Sequence, residues 1–489
     1  MTGRATGRAP GPAPAERIVV IGYGPAAHRL VEGLYRYGPH GRVTVLGAEP
    51  EPAYNRPLLT AVLDGTLSAG ALRLPEPPPG TVLGLGVRAV SFDPRRRLVR
   101  TADGDAHPYD RLVLATGAAP VPPGPQWTRG PDGRLAPGVR ALRTLADGER
   151  IAGARGPVAV VGGGVLGVEA ALALRRSGRP VALVHRGPYP LDRHVDPRAG
   201  EAVAGRLRNL AVDLRLGRTV AARDDGGAGL TLDDGSRVEA GEVLLCIGAR
   251  PRVGLARAAG LAVRTGVLVD HLLRTSAARV YAIGDCAEPL DGGAHGPGTG
   301  PGPTGRVPSG GFSSAWDQAE ALAVLLKGGR VRHRGGHGVL RLKAPELDLL
   351  RVGTTAGADE TVVLGDAAAG RYARLSLRSG RLTGAVLVGL HRAAAGVVRL
   401  HQRGEPVPVD RLALLLGEPP CYEAGPPPGT ALVCHCNNVT GDALAAAWRA
   451  GARTAAALAS ATRAGTGCGG CGEELRARCE AWAREEEAG

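Results

Sequence analysis

One short pattern occurs twice in this chain and constrains its fold more than any other feature. The apolar run Arg17–Ile21 passes directly into Gly22-Tyr23-Gly24-Pro25-Ala26-Ala27 and then into an amphipathic stretch, about His28 to Tyr37. Later, Val158–Val161 passes into Gly162-Gly163-Gly164-Val165-Leu166-Gly167 and an alanine-rich stretch from Glu169 to about Ser177. Strand, glycine turn and helix in that order open a βαβ unit. Glycine is needed where the backbone turns sharply, and again where it must approach a pyrophosphate whose charge the helix N-terminus stabilises. A further strand follows each copy, Arg42–Leu46 and Pro180–Val184. The expected fold class is α/β, with two Rossmann-like dinucleotide-binding domains.

The residues beyond these strands extend the two sites. Glu49, just past the second strand, stands where a carboxylate accepts hydrogen bonds from an adenosine ribose. In the second copy that place holds His185-Arg186, and Arg186 suits a 2′-phosphate, a slight lean towards NADPH that leaves NADH open. Arg56, in Tyr54-Asn55-Arg56-Pro57, can pair with a pyrophosphate through a bidentate contact; a solvated loop arginine is the plain alternative. At Thr116-Gly117, followed by Ala118-Ala119-Pro120, small residues let the chain pass close to a cofactor. Gly248 opens the return from the second unit to the first. Asp285, after Tyr281-Ala282-Ile283-Gly284, can hydrogen-bond a ribityl hydroxyl of a flavin while also capping a helix.

The C-terminal region carries a different chemistry. Five of the eight cysteines lie from Cys434 onward, and four form the pairs Cys434-His435-Cys436 and Cys468-Gly469-Gly470-Cys471. Together they offer four soft sulfur ligands, which suits an iron–sulfur cluster or a tetrathiolate zinc. Clustered thiols in a chain without a secretory signal favour metal over disulfide. His435 reads as a bystander between two ligands. Cys246, Cys286, Cys421 and Cys479 read as packing thiols, with Cys286, beside Asp285, the one placed to sense a flavin.

Composition narrows the classes. Of 60 basic residues only Lys327 and Lys343 are lysine, and with 1 Met and 2 Phe the formal charge of +14 reflects a coding bias more than a polyanion-binding face. No aromatic-interleaved basic stripe accompanies it, so no nucleic-acid partner is expected. No run approaches the roughly 18 apolar residues of a membrane span, and the first residues lack a signal-peptide core, so a cytoplasmic protein is expected. The domain reading is a disordered tail (1–16), a discontinuous first nucleotide domain (17–120 and 252–330), a second (121–251), a small α+β interface domain (331–416), a proline-rich linker (417–430) and a small helical cysteine domain (431–482). Within the third, strands are expected at His337–Leu342, Glu360–Leu364 and Tyr372–Leu377. Residues 291–310 read as a mobile glycine-rich loop.

These motifs resemble a known family. Gly22-x-Gly24-x-x-Ala27, Ala115-Thr116-Gly117, Gly162-x-Gly164-x-x-Gly167-x-Glu169 and Tyr281-Ala282-x-Gly284-Asp285 are similar to the FAD/NAD(P) pyridine nucleotide oxidoreductases over roughly residues 16 to 330. Pro52 to Pro57 and Trp316-Asp317-Gln318 resemble more narrowly the electron-transfer subunit of assimilatory nitrate reductase and, equally, the flavin half of NAD(P)H nitrite reductase. The four cysteines, with Ala464-Gly465-Thr466-Gly467 between them, resemble the bacterioferritin-associated-ferredoxin-like [2Fe–2S] module.

The resemblance implies FAD, NAD(P)H and a [2Fe–2S] cluster held by Cys434, Cys436, Cys468 and Cys471, and a Glu169 that touches the nicotinamide; a helix-start Glu serving the dipole is the alternative. Electrons would pass in pairs from NAD(P)H to FAD and singly through a tethered cluster to a protein acceptor, the catalytic subunit of a nitrate or nitrite reductase. A stand-alone NAD(P)H:ferredoxin or small-acceptor reductase and an iron- or redox-sensing module on a flavoprotein scaffold are the other readings. The organic chemistry belongs to the cofactors, so no acid–base residue is named catalytic. No C-x-x-C or C-x-x-x-x-C pair stands in the flavin region, so the disulfide-reductase mechanism of the wider class is not expected. With the chain ending at residue 489 and no siroheme-sized domain after the cysteines, an electron-transfer component is expected in place of a complete nitrite reductase.

Overall fold

Arg17–Ile21 is buried on both faces beyond its first residue, and a strand that apolar must sit inside a sheet covered on both sides. It forms the centre of a five-stranded parallel sheet in the order Val280–Ala282, Arg111–Leu114, Arg17–Ile21, Arg42–Gly47, Val82–Leu85. Ile18 pairs with Val43 on one side and Arg111 on the other. Gly22 is thereby delivered to the carboxyl edge of the sheet, where α/β folds bind ligands. This computed structural model describes residues 16–37, 41–121, 124, 126–130, 132, 134–224, 226–290, 312–331, 338–416, 429, 432–434, 437, 439–467 and 469–488. The expected tail, the 291–310 loop, all but one residue of the 417–430 linker, His435, Cys436 and Cys468 lie outside the described residues.

The second copy of the pattern builds a second parallel sheet, in the order Val212–Leu216, Val181–His185, Val158–Val161, Glu242–Leu245, Val139–Ala141. The two helices that follow the glycine turns run over Pro25–Arg36 and Val165–Arg176. Both begin earlier than the apolar periodicity places them. Pro25 explains the first: its fixed φ and missing N–H suit the opening position of a helix. The two sheets are joined by a short antiparallel ribbon in which Ala118–Pro120 pairs with Ala249–Pro251, so the chain leaves and re-enters the first unit side by side.

Residues 340–388 form a five-stranded antiparallel sheet, in the order Leu340–Arg341, Leu349–Gly353, Arg381–Val388, Arg371–Arg378, Glu360–Asp366. Leu349–Gly353 and Arg381–Val388 are additions to the three strands read from the sequence. One face joins the second nucleotide unit: Leu342, Leu349, Val386 and Val388 share an apolar cluster with Val168, Leu172 and Val203. Near the start of Arg371–Arg378, Tyr372 donates its hydroxyl proton to Asp196 at 2.9 Å. The other face is covered by the helix His391–Arg403 through Ala394, Val397 and Leu400.

The C-terminal unit is a two-strand ribbon, Leu432–Cys434 with Val439–Thr440, and three helices over Gly441–Arg449, Ala455–Thr462 and Gly472–Ala488. Thr440 and Thr454 cap the first two helices, accepting from Ala443 and Ala457. Val433, Leu444, Trp448, Leu458 and Leu475 form its own small core. Among the described residues no helix is long and apolar enough to cross a membrane.

In the first unit the helices Pro25–Arg36 and Phe312–Leu326 cross at Gly33, where a Cβ would stand 2.7 Å from the Ala323 Cβ. Alanine is the better helix former by about 1 kcal/mol, but overpacking costs roughly 1–3 kcal/mol, and the clash should win. Gly33→Ala is expected to lower the urea unfolding midpoint, and Gly33→Ala/Ala323→Gly to recover it; a Gly33→Ala protein as stable as wild type contradicts the close crossing.

Candidate functional site

Each glycine turn is pressed against the end of a neighbouring strand. Gly22 has φ +103°, and a Cβ there would lie 2.2 Å from the Ala115 carbonyl oxygen; Gly162 has φ +113°, with the Cys246 oxygen at 2.4 Å. No other residue fits either place. Gly24 and Gly164 face open space and are the N-caps of the two helices, with no side chain capping either. The first-turn N–H groups are thus left to an outside acceptor, beside a backbone that an anion can approach closely. Gly167 sits against the Gly162 carbonyl oxygen, and Ala27 is fully buried. Two open, uncapped cradles fit two dinucleotides.

Around the first turn the charges are already arranged. Arg56 pairs with Glu49 at 2.7 Å, and Tyr54 donates its hydroxyl to the other Glu49 oxygen at 2.7 Å. The Arg56 guanidinium also lies 4.7 Å from the centre of the Tyr54 ring. Burial alone would push the Glu49 carboxyl up, but Arg56 and the Tyr54 hydroxyl together hold it below the usual range. Asp285 pairs with Arg143 at 2.7 Å, and the Gln318 side chain accepts from Gly284 N–H at 2.7 Å, fixing the turn before Asp285. The Thr116 hydroxyl donates to the Arg252 carbonyl at 2.8 Å, and Arg252 N–H to the Gly117 carbonyl. Arg143 and Arg252 both donate to the Ala118 carbonyl. Burial, and then the neighbouring Arg143, lower the Arg252 pKa.

Glu49, Arg56, Thr116, Gly117, Gly284 and Asp285 therefore converge at the strand ends near Gly22 and Gly24. Arg143 and Arg252 complete the set and were not read from the sequence. In so arginine-rich a chain neither is distinctive, and only the fold brings them to Asp285 and Ala118.

At the second turn His185 and Arg186 are placed differently. His185 faces the glycines: its Nδ1 accepts from Gly163 N–H at 3.1 Å and its Nε2 lies 3.2 Å from Asp192. Arg186 points to solvent and pairs with no carboxylate among the described residues. Glu169 is one turn inside its helix and buried, away from the exposed helix start that a dipole role requires. Its Oε1 accepts from the Lys343 backbone N–H at 2.9 Å, with the Lys343 ammonium 3.9 Å away. Burial pushes this carboxyl up, and Lys343 only partly offsets it. Gly248 has φ +107° and its carbonyl accepts from Val121 N–H, stitching the ribbon between the units.

In the C-terminal unit Cys434 and Cys471 are buried in one apolar cluster with Val433, Val439, Leu458, Ala464 and Leu475. The donors that these two residues bring there are soft sulfur, the ligand chemistry of an iron–sulfur centre. With Cys436 and Cys468 outside the described residues, no group of three metal-binding side chains converges among those described. Burial pushes the Cys246 thiol up to about 12. Cys286 is fully buried, its thiol 3.3 Å from the Ile283 and 3.4 Å from the Leu114 carbonyl oxygen, and its pKa is raised chiefly by burial. Both are inert packing thiols, not thiolate nucleophiles.

Comparison with known proteins agrees with this geometry. Residues 16–307 match the family described as pyridine nucleotide-disulphide oxidoreductase, and residues 432–477 match the BFD-like [2Fe-2S] binding domain. The nitrite reductase [NAD(P)H] of Bacillus subtilis (strain 168) is 27% identical over 477 residues, 93% of this chain and 56% of that protein. The assimilatory nitrate reductase electron transfer subunit of the same organism is 27% identical over 479 residues, 93% of this chain and 58% of that one. The chain thus spans little more than half the length of these relatives. Among solved structures, the covalent putidaredoxin reductase–putidaredoxin complex superposes with a TM-score of 0.71 at 28% identity, covering 81% of this chain and 95% of that one.

The buried Glu169 has a measurable signature. Because its folded-state pKa is raised, the native protein binds more protons there than the unfolded chain, and stability falls as pH rises through that value. Thermal midpoints measured from about pH 5 to about pH 8 should fall less steeply in Glu169→Gln than in wild type; parallel curves contradict the assignment.

Proposed function

The chain belongs to the pyridine nucleotide-disulphide oxidoreductase family, and from that premise we propose that it carries electrons from NAD(P)H through FAD and a [2Fe–2S] cluster to a separate nitrate- or nitrite-reducing protein. The observation that carries the reading is the presence in one chain of two uncapped glycine cradles and a buried-thiol module. When bound, FAD accepts electron pairs from nicotinamide and yields them singly, which a one-electron cluster can take up. The protein's part is to bind, orient and shield these groups. Gly22, Gly24 and the uncapped first turn would take the FAD pyrophosphate, with Arg56, Arg143 and Arg252 as its cationic surround. Glu49 would accept from the adenosine ribose, and Asp285, held by Arg143, from the ribityl chain. Gly162, Gly164 and Gly167 would seat NAD(P)H, with Glu169 buried on the same helix. Cys434, Cys436, Cys468 and Cys471 would ligate the cluster.

The name of the Bacillus nitrate reductase subunit, aligned over 93% of this chain, supports the partner class. The near-complete coverage of a putidaredoxin reductase supports a second reading, a reductase that passes electrons to a ferredoxin-type acceptor.

Anaerobic titration with NADH and with NADPH, followed optically and by low-temperature EPR, tests the relay. Flavin bleaching and a [2Fe–2S] signal are expected, with the signal lost and the bleaching kept in Cys434→Ser. Bleaching without any cluster signal, together with zinc in the purified protein, would sink the relay. Nitrite production on adding a nitrate reductase catalytic subunit supports the partner; rapid turnover with a ferredoxin and none with the reductase favours the second reading.

A further inference from the structure

The turn Asn55–Leu58 does more than border the first cradle. The Asn55 side chain is 3% exposed, and its Nδ2 donates to two backbone carbonyls of the cysteine unit, Thr466 at 2.7 Å and Gly467. Two carbonyls side by side can be satisfied only by an NH₂ group, which fixes the orientation of the amide. The Asn55 Oδ1 is buried with no donor among the described residues, leaving an acceptor at the same seam. On the other side of Cys468, Gly469 has φ +76°, and a Cβ there would stand 3.2 Å from Leu58 Cδ2. The residues immediately before and after a candidate cluster ligand therefore both rest on this one turn.

Hydrogen bonds tie down both the turn and Thr466. Asn55 N–H donates to the Leu72 carbonyl at 2.7 Å, and Leu58 N–H to the Asn55 carbonyl at 3.0 Å. In the loop, the Thr466 hydroxyl donates to the Arg463 carbonyl at 2.8 Å, and Asn437 Nδ2 donates to that carbonyl and to the Thr466 hydroxyl. A second anchor lies beside the first. Arg463 pairs with Glu32 of the first nucleotide unit, and its guanidinium lies 5.8 Å from the Trp316 ring. Both partners of this ion pair are mostly buried, so salt screens it weakly.

We propose that Asn55 and Arg463 are positioning residues that seat Thr466, Gly467 and Gly469, the described neighbours of a candidate cluster ligand, on the flavin-binding unit, so that electrons reach the cluster within one docked chain. The seat is contiguous with the pocket: Tyr54 and Arg56, on either side of Asn55, contact Glu49, and Arg56 also donates to the Arg143 carbonyl. The proposal rests on the electron-relay reading above. With those groups bound, a single electron would pass from reduced FAD to the oxidised cluster, with no bond made or broken in the protein, and NAD(P)H would supply the pair that reduces FAD. The tether read from the sequence is then not the only thing that brings cluster and flavin together.

The test uses the full-length, cofactor-loaded protein and three variants: Asn55→Asp, Arg463→Glu, and the charge exchange Arg463→Glu/Glu32→Arg. Asn55→Asp keeps the shape but sets carboxylate oxygens against two carbonyls. It should slow cluster reduction about tenfold or more, while flavin bleaching by NAD(P)H, iron content and the cluster EPR line shape stay as in wild type. Hydrogen–deuterium exchange should quicken in the peptides covering 464–472 and 55–60, a readout independent of turnover. Arg463→Glu should do the same, and the charge exchange should restore exchange protection. Unchanged exchange in Asn55→Asp and Arg463→Glu overturns the seat. A wild-type cluster that NAD(P)H never reduces sinks the relay instead, and the exchange data then decide the seat alone.

Discussion

Three units of this protein meet on one short stretch of chain, Tyr54 to Leu63. Tyr54, Leu59, Val62 and Leu63 are buried in the same apolar cluster as the second nucleotide unit, each contributing roughly 1.5–3 kcal/mol of hydrophobic stabilisation when fully buried. The Tyr54 hydroxyl also accepts from Leu145 N–H at 3.2 Å, just inside the capped helix Leu145–Gly153. Arg56 turns back to Glu49 and the first cradle, while Asn55 and Leu58 face the cysteine unit. A displacement of this stretch would move the charges at the first cradle, the core of the second nucleotide unit and the residues beside Cys468 together. That coupling makes a relay of three redox groups geometrically economical.

The charge distribution follows the same logic. Arginines that look dispersed in the sequence form bridges in the fold: Arg56 to Glu49, Arg143 to Asp285, Arg176 to Asp64 and Glu346, and Arg463 to Glu32. Several join one unit to another. A guanidinium presents five donors in a planar fork and keeps its charge when partly buried, so it suits contacts that must be desolvated and directional. Arg176 and Arg463 in particular tie separate units together.

The parts of this architecture that were legible in the sequence are those set by local chemistry. The strand–glycine–helix repeats, and the placing of Glu49 and Asp285 beside the first turn, carry their meaning in neighbours a few residues away. The two missed strands show the limit: Arg381–Val388 ends in the short apolar run Ala385–Val388, which periodicity cannot separate from a buried helix, and in Leu349–Gly353 Arg351 interrupts the apolar residues. Arg143 was illegible because its partner Asp285 comes from a turn 142 positions away. Asn55 was illegible as a docking residue because Thr466 and Gly467 are more than four hundred positions away. The part of His185 at the second turn was illegible because its ring's contact with Gly163 N–H is one that spacing alone does not reveal.

The central claim is that the redox groups exchange electrons within one chain whose cysteine unit is seated on its flavin unit. Anaerobic stopped-flow mixing with NAD(P)H, reading flavin and cluster absorbance at several protein concentrations, tests it most directly. A tethered, docked unit replaces bimolecular encounter with a fixed effective concentration. Cluster reduction should therefore follow flavin reduction with a rate constant unchanged on about tenfold dilution of the protein. A rate constant that falls in proportion to the dilution would mean that electrons pass between chains, and would contradict the account.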